Sequence, residues 1–457
     1  MGLLHDPGDQ PFRAFLPTLL VILGAYLFFN RAFAWVHIPG VPVFPGELLL
    51  AVGLFQAMRV PAALRAVVGS SALARLLLAV IVVGALRTAW DIPTHGLDAV
   101  RDAAPWYYGA LALILAALVI TRPTSIETLS SWYRRAIPLF LLWAPIAVWL
   151  SEAYEDVAPL IPDSETPIVA FKPPDIAVHA ATALAFLWIV VEPRSAESRR
   201  RRIVITVLGL VTVLVAGTQF RSGFVAAVVT LAGAAWLSPQ RKQLVRSGLS
   251  LVVVIILAAQ FLDVRIQLPR REISLEQITS NVLSVFDESE DEGNLQGTVA
   301  WRLELWSRAL DDLLEDEQWA TGVGFGPNLA DRYDFLGLRG RRSSQPLRSA
   351  HNTHLTMWTR GGLLLAALWL LFWIALLASL WRLSRARDVE GNRPLVVRLG
   401  AWVLVSLGGF LVNAFFDPSL EGPHAAVWAW SLAGLGLGTL LLARAPRVRA
   451  VPPLVEA

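Results

Sequence analysis

The chain has 457 residues, 55% of them hydrophobic and only 16% charged, with a formal net charge of +3. Soluble globular domains carry about 25% charged residues, so this composition excludes an ordinary soluble enzyme, and nucleic acid is not an expected partner. The absence of cysteine excludes disulfides, cysteine-ligated metals and thiol nucleophiles.

Taken in chain order, the apolar segments are about 14–36, 42–58, 72–90, 105–121, 136–151, 175–191, 203–219, 221–237, 246–262, 353–380, 397–416 and 424–443. A bilayer-crossing helix needs roughly 20 mostly apolar residues. The expected fold is therefore all-α and polytopic, with about twelve transmembrane helices. The first segment lacks a small-residue cleavage site and reads as an anchor, not a removed signal peptide. Trp35, Trp90, Trp106, Trp132 and Trp358 fall near segment edges, where interfacial rings are common without any ligand. With twelve spans, one side collects Arg59, Arg65, Arg122, Arg134, Arg135, Arg194, the run Arg199–Arg202, Arg241, Lys242, Arg246, Arg382, Arg385, Arg387, Arg393, Arg398 and the tail arginines Arg444, Arg447 and Arg449. The positive-inside rule makes that side the cytoplasm and puts both termini there. The expected location is an inner (cytoplasmic) membrane, crossed many times.

Residues 263–352 then form one large periplasmic loop between spans 9 and 10. The expected organisation is a membrane bundle of nine spans over 1–262, an extracytoplasmic catalytic loop over 263–352, and the last three spans with a cytoplasmic tail over 353–457. So long a loop is expected to be partly folded. Residues 299–318 (VAWRLELWSRALDDLLEDEQ) read as an amphipathic helix, with Trp301, Leu305, Leu313 and Leu314 supplying apolar contacts. TGVGFGPN follows as glycine-rich bending chain. It lacks the GxxxxGK[ST] spacing of a nucleotide-binding loop.

A charge at the edge of such a bundle is expensive unless it meets water, a carboxylate or a ligand. Arg221, in GTQFRSGF between two apolar segments, reads as an anion-binding residue lining an outward cavity; a snorkelling arginine is the bland alternative. Arg302 has the planar fork that suits phosphate, or else pairs with Glu304 or Asp311 on the loop surface. Arg308 is a weaker candidate, on another face. Arg265, Arg339, Arg341, Arg342 and Arg348 could attract an anionic head group or be ordinary lipid-facing charge. The sharpest constellation is SAHNTHLTMWTRGGLL, where the loop re-enters the membrane. His351 can take a proton near neutral pH, as a general base must. Asn352 can cap the helix or orient substrate. His354 raises the question of a metal pair, but no HExxH or patterned acidic ligand accompanies it. No metal and no cofactor are expected. Asp417, in NAFFDPSLEGPH, is placed to orient His351 or bind an acceptor sugar, or simply to cap a helix–turn; Glu421 and His424 share that turn.

These residues resemble the O-antigen ligase and O-antigen polymerase superfamily of bacterial glycan-transfer membrane proteins. The likeness is carried by QFRSG, by WRLELWSRAL followed by TGVGFGPN, and by AHNTHLTMWTRGG, in that order over roughly 200–380. The main loop between spans 9 and 10 extends it. The resemblance implies a metal-independent glycosyltransferase whose donor is an undecaprenyl-diphosphate-linked glycan. The ligase branch transfers that glycan to a hydroxyl of the lipid A core, and the polymerase branch to a second lipid-linked glycan. The family histidine maps onto His351 and its arginines onto Arg221 and Arg302; His354 receives no family role. One dominant loop favours the ligase branch, and a chain-length regulator is a candidate partner. A transporter is the reading from another class, but it should carry an internal repeat and midplane polar groups, and no repeat is visible. A purely structural or assembly protein would tolerate loss of His351 and Arg221.

Overall fold

In a computed structural model of the chain, the described residues are 12–37, 43–192, 195–217, 219–244, 266–267, 272–273, 296–315, 317–332, 348–387 and 394–444. They form a helical bundle: α1 (Phe15–Ala34), α2 (Pro45–Arg59), α3 (Pro61–Ser70), α4 (Ala72–His95), α5 (Leu97–Asp102), α6 (Ala104–Tyr107), α7 (Gly109–Thr121), α8 (Ser125–Tyr154), α9 (Pro173–Ile189), α10 (Ala196–Gly217) and α11 (Arg221–Leu237). After these come the loop helices α12 (Gln296–Glu315) and α13 (Leu329–Arg332), and then α14 (Thr353–Ser384), α15 (Leu395–Phe416) and α16 (Pro423–Arg444). Among the described residues the only strands are two antiparallel two-residue pieces, Ile266–Gln267 and Glu272–Ile273.

Seven of the helical segments are long and apolar enough to cross a membrane, an eighth if α2 and α3 count as one bent span, and α9 and α11 are shorter apolar helices. The expected span 42–58 falls on α2, which is only 15 residues long and passes the length and hydropathy test for a span only together with α3. The chain turns by 93° between α2 and α3, because Pro61 has no N–H to continue the ladder and its ring restricts Val60. The expected span 246–262 lies outside the described residues, as do most of the loop and Arg194, Arg246, Arg265, Arg339, Arg341, Arg342, Arg393, Arg447 and Arg449.

Burial separates the helices. Of the apolar window in α16, 94% is buried, and in α15 78%. α9 packs against α10, α11 and α15, and α16 packs against α7, α15, α14 and α1. These inner helices bring their ends together at the side of the bundle where the loop attaches. At that side α11 starts hard against α9: a Cβ on Gly223 would lie 2.4 Å from Pro174 Cα, so only glycine permits the approach.

Within the loop, Leu305, Ala309 and Leu329 are fully buried together, with Val323 and Leu355 against them. Leu313 is buried as expected, but Leu314 is 59% exposed. The reason is helical geometry: nine residues at roughly 100° each carry Leu314 to the face opposite Leu305. The side chain of Trp301 lies outside what is described.

The loop joins the bundle through a break in α14. Gly362 has φ 72° and ψ −179°, a region open in practice only to glycine. The backbone groups freed by the break are taken up by the loop. Val323 N–H donates to Thr359 O at 2.7 Å, Gly324 N–H to Arg360 O at 3.0 Å, and Leu363 N–H to Trp319 O at 3.0 Å. Broken helices at membrane depth are tolerated where other protein groups satisfy the freed backbone in this way.

Candidate functional site

Five chain segments meet at the loop side of the bundle. Arg221 opens α11, and its position follows from the Gly223 approach to α9. Arg302 lies on α12, which is fixed one turn later by Trp306. That indole N–H donates to Ala350 O at 2.8 Å, and its ring meets Phe415 edge-on at 5.5 Å. Trp306 therefore ties α12 to the residues beside both His351 and Asp417. Lys172 precedes α9. Its backbone N–H donates to Asn30 Oδ1 at 2.9 Å, where α1 kinks at Asn30, which has φ 45°. Its ammonium pairs with Asp417, at the end of α15.

The electrostatics tie these groups into one cluster. Burial lowers the pKa of His351 to about 4, with Asp417 opposing and Lys172 and Arg302 reinforcing the shift. Neutral imidazole is thus the form present at ordinary pH. His351 also has φ 51°, an unusual left-handed backbone for a residue with a Cβ. Burial lowers the Arg302 pKa from its usual value, Asp417 raising it and the neighbouring Arg221 lowering it further. Arg221 Nε and Nη2 and Arg302 Nε are buried without hydrogen-bond partners among the described residues. Orphaned guanidinium nitrogens are expensive in a dry environment. Two such groups side by side repel each other and suit an anion lodged between them.

A second network holds the glycine-rich segment in place. Phe325 N–H donates to Asp91 Oδ2 at 2.7 Å and Gly326 N–H to Asp102 Oδ2 at 3.2 Å. Arg360, 1% exposed, donates to Gly324 O, Pro327 O and Arg348 O and pairs with Asp102 at 3.0 Å. Arg348 reaches the same carboxylate at 3.1 Å and Gly326 O at 2.6 Å. Gly322, Gly324 and Gly326 all have positive φ, which lets the backbone coil around these two arginines. Glu421, beside Thr356 and Ser349, is pushed up to about 7 by burial, with Arg360 opposing.

The structure sorts the sequence candidates. Arg221, Arg302, His351 and Asp417 are brought together. Asn352 caps α14, its Oδ1 accepting from His354 and Leu355 N–H at 3.0 and 3.1 Å. His354 is held within the protein: Nδ1 accepts from Trp369 Nε1 at 3.0 Å, and Nε2 lies 3.1 Å from Leu411 O. Arg348 belongs to the glycine-segment clamp. Arg308 stands apart from the cluster, paired with Glu304 at 2.5 Å on the exposed side of α12. Sequence reasoning missed Lys172, Asp91, Asp102 and Arg360. Lys172 carried one unused signal, since the chain has only two lysines, Lys172 and Lys242. Among the described residues no three His, Asp or Glu side chains are grouped to hold a metal ion. An apolar cleft lined by Trp132, Tyr133, Trp402 and Trp428 is separate from the cluster.

Fold and cluster together describe a polytopic helical membrane protein with unpartnered guanidinium nitrogens where its loop joins the bundle. The sequence model of the family described as O-antigen ligase matches residues 206–370, a stretch that takes in Arg221, Arg302 and His351. The match supports the O-antigen ligase and polymerase superfamily, a membrane glycan-transfer family, without separating its ligase and polymerase branches. No curated protein matches the chain.

Proposed function

We propose that this protein is a metal-independent, inverting glycosyltransferase of the bacterial inner membrane. It moves an O-antigen glycan from undecaprenyl diphosphate to a hydroxyl of the lipid A core. The observation that carries the reading is the pair of partly exposed guanidiniums of Arg221 and Arg302, each with a buried nitrogen left unpartnered among the described residues, beside a neutral His351. Each element matches one demand of the reaction. The leaving group is a diphosphate whose charge grows as the bond to the anomeric carbon breaks, and preorganised guanidiniums stabilise that charge without reorganising. The acceptor hydroxyl must lose a proton, and a neutral imidazole can accept it. Direct displacement inverts the anomeric carbon and needs no covalent intermediate on the protein.

In this reading about twelve spans cross the membrane, with both termini and the arginine-rich loops cytoplasmic and the cluster facing the periplasm. Asp417 supports His351, and Asn352, His354 and Arg348 shape the site around it. A lipid-linked glycan arrives already activated, so no nucleotide is required on that face.

The test uses the reconstituted full-length protein, undecaprenyl-diphosphate-linked glycan, and either lipid A core or a second lipid-linked glycan. Joined product and released undecaprenyl diphosphate are followed together. Product on lipid A core supports the ligase reading, and product only as a lengthened lipid-linked glycan replaces it with the polymerase. Undiminished transfer by folded His351→Ala removes His351 from the chemistry.

A further inference from the structure

The Lys172–Asp417 pair borders the same cluster, and its side chains keep 20% and 13% of their surface exposed. Both act on His351, and Asp417 acts on Arg302 as well. We propose that Lys172 is a third diphosphate-binding cation, latched on Asp417 in the free protein, and that its move to the diphosphate releases Asp417 to hold the proton-bearing His351. The inference rests on the glycan-transfer reading and adds to it a residue and a sequence of events.

Charge balance is the first argument. Arg221, Arg302 and Lys172 against Asp417 leave the cluster with two positive charges while His351 is neutral. A lipid-linked diphosphate glycan carries about one negative charge on each phosphate, and the departing monoester gains about one more. In the transfer, the acceptor oxygen bonds to the anomeric carbon as that carbon's bond to the phosphate oxygen breaks. The electron pair leaves with the diphosphate, and the acceptor proton passes to His351. The site therefore gains a positive charge as the leaving group gains a negative one. Cluster and ligand match before the step and after it.

The second argument is the choice of residue. The chain otherwise uses arginine almost throughout, with only Lys172 and Lys242 as lysines. A guanidinium fork locks onto a carboxylate, whereas an ammonium on a flexible stem can change partners. The nearby carboxylate Asp175 also acts on Lys172, but the ammonium is paired with Asp417. Asn413 Nδ2 donates to Asp175 Oδ1 at 2.9 Å, and His424 Nε2 lies 3.0 Å from Asp175 Oδ2. Asp417, Lys172 and Arg302 act on His351, while Asp175 and Arg31 act on Lys172.

The experiment compares wild type with Lys172→Met, Lys172→Arg, Asp417→Asn and the double variant Lys172→Met with Asp417→Asn. Loss of one charge-assisted contact should raise the donor KM of Lys172→Met about tenfold or more and weaken inhibition by inorganic diphosphate in parallel. The acceptor KM should hold, and Lys172→Arg should recover the donor KM more than kcat. The acid limb of the rate profile should move up in Lys172→Met, which removes a cation from His351, and down in Asp417→Asn, which removes an anion. The double variant leaves no unpaired charge behind, so it should keep the wild-type melting temperature yet still bind diphosphate weakly. A structural ion pair predicts instead that the double variant regains the wild-type donor KM; that outcome, or acid limbs that do not move apart, overturns the proposal. Amine modification gives a readout independent of turnover: inorganic diphosphate should protect Lys172 and leave Lys242 unprotected. No protection of Lys172 also overturns the proposal. Wild-type protein inert on every lipid-linked donor, with Lys172 nonetheless protected, would sink the glycan-transfer reading and spare the anion site.

Discussion

At the scale of single residues, burial and charge set what His351 can do. Its pKa is lowered to about 4, chiefly by burial, so the base form is lost only as pH falls through that value. The pH profile of kcat/KM should therefore show its acid limb near 4, well below the ordinary imidazole value of about 6.5. The same shift makes folding pH-dependent. Between the two values the unfolded chain binds more protons, so His351 contributes stability that is full above about 6.5 and declines as pH falls toward 4. Arg302 answers a different question. If its fork grips phosphate, Arg302→Ala should reduce kcat/KM by about a hundredfold or more and Arg302→Lys by less. A surface ion pair would be worth only about 0–1 kcal/mol, or a fivefold change at most. Release of undecaprenyl diphosphate measures both. His351 and Arg221 were legible in the sequence because each puts a charge or a base where the hydropathy pattern turns, and Arg302 because its planar fork sits on the amphipathic loop helix. Lys172 was not, because its meaning depends on Asp417, a partner brought near only by the packing of α9 against α15.

At the scale of elements, the loop and α14 hold each other in shape. A Cβ on Gly362 would lie 2.1 Å from Ala320 O, and the backbone there suits glycine alone. Gly362→Ala should cost at least about 1–3 kcal/mol, read as a lower melting temperature with a parallel loss of transfer. Arg360→Met removes the central donor of the clamp and leaves the buried Asp102 carboxylate short of a partner, at a cost of about 3–5 kcal/mol. Protection of the backbone amides of 322–326 from hydrogen exchange should fall in that variant before that of α16 does. The helix 299–318 was readable from its period, and its observed span of Gln296–Glu315 differs at the ends alone. The glycine segment was readable as a bend but not as a docked one, since Asp91 and Asp102 lie in a different part of the chain and look like ordinary rim acids there. Arg360, in TRGG at the head of an apolar run, gives no hint from sequence that it is 1% exposed.

At the scale of the whole molecule, hydropathy alone gave most helix positions, because apolar length is a local property. It could not show the 93° bend of α2 and α3. Nor could it rank helices by burial, since α16 and the outer helices are similarly apolar in sequence yet differ in what surrounds them. Orientation can be tested on a clean background, because the chain has no cysteine. Under the proposed topology, a membrane-impermeant thiol reagent applied from the periplasm should label Glu165→Cys and spare Ala196→Cys. The opposite pattern would turn the molecule over and place the cluster on the cytoplasmic side.

The break in α14 also bears on how the protein is made. A chain synthesised from its N-terminus delivers α4 and α5, with Asp91 and Asp102, well before the glycine segment that they bind. The glycine segment in turn precedes Gly362, whose neighbours it must satisfy. Each receptor is in place before its ligand is translated, and the last helix to need the loop is the one that leaves the ribosome after it. A version of the chain permuted so that α14 came first would have to insert a broken helix with its carbonyls bare.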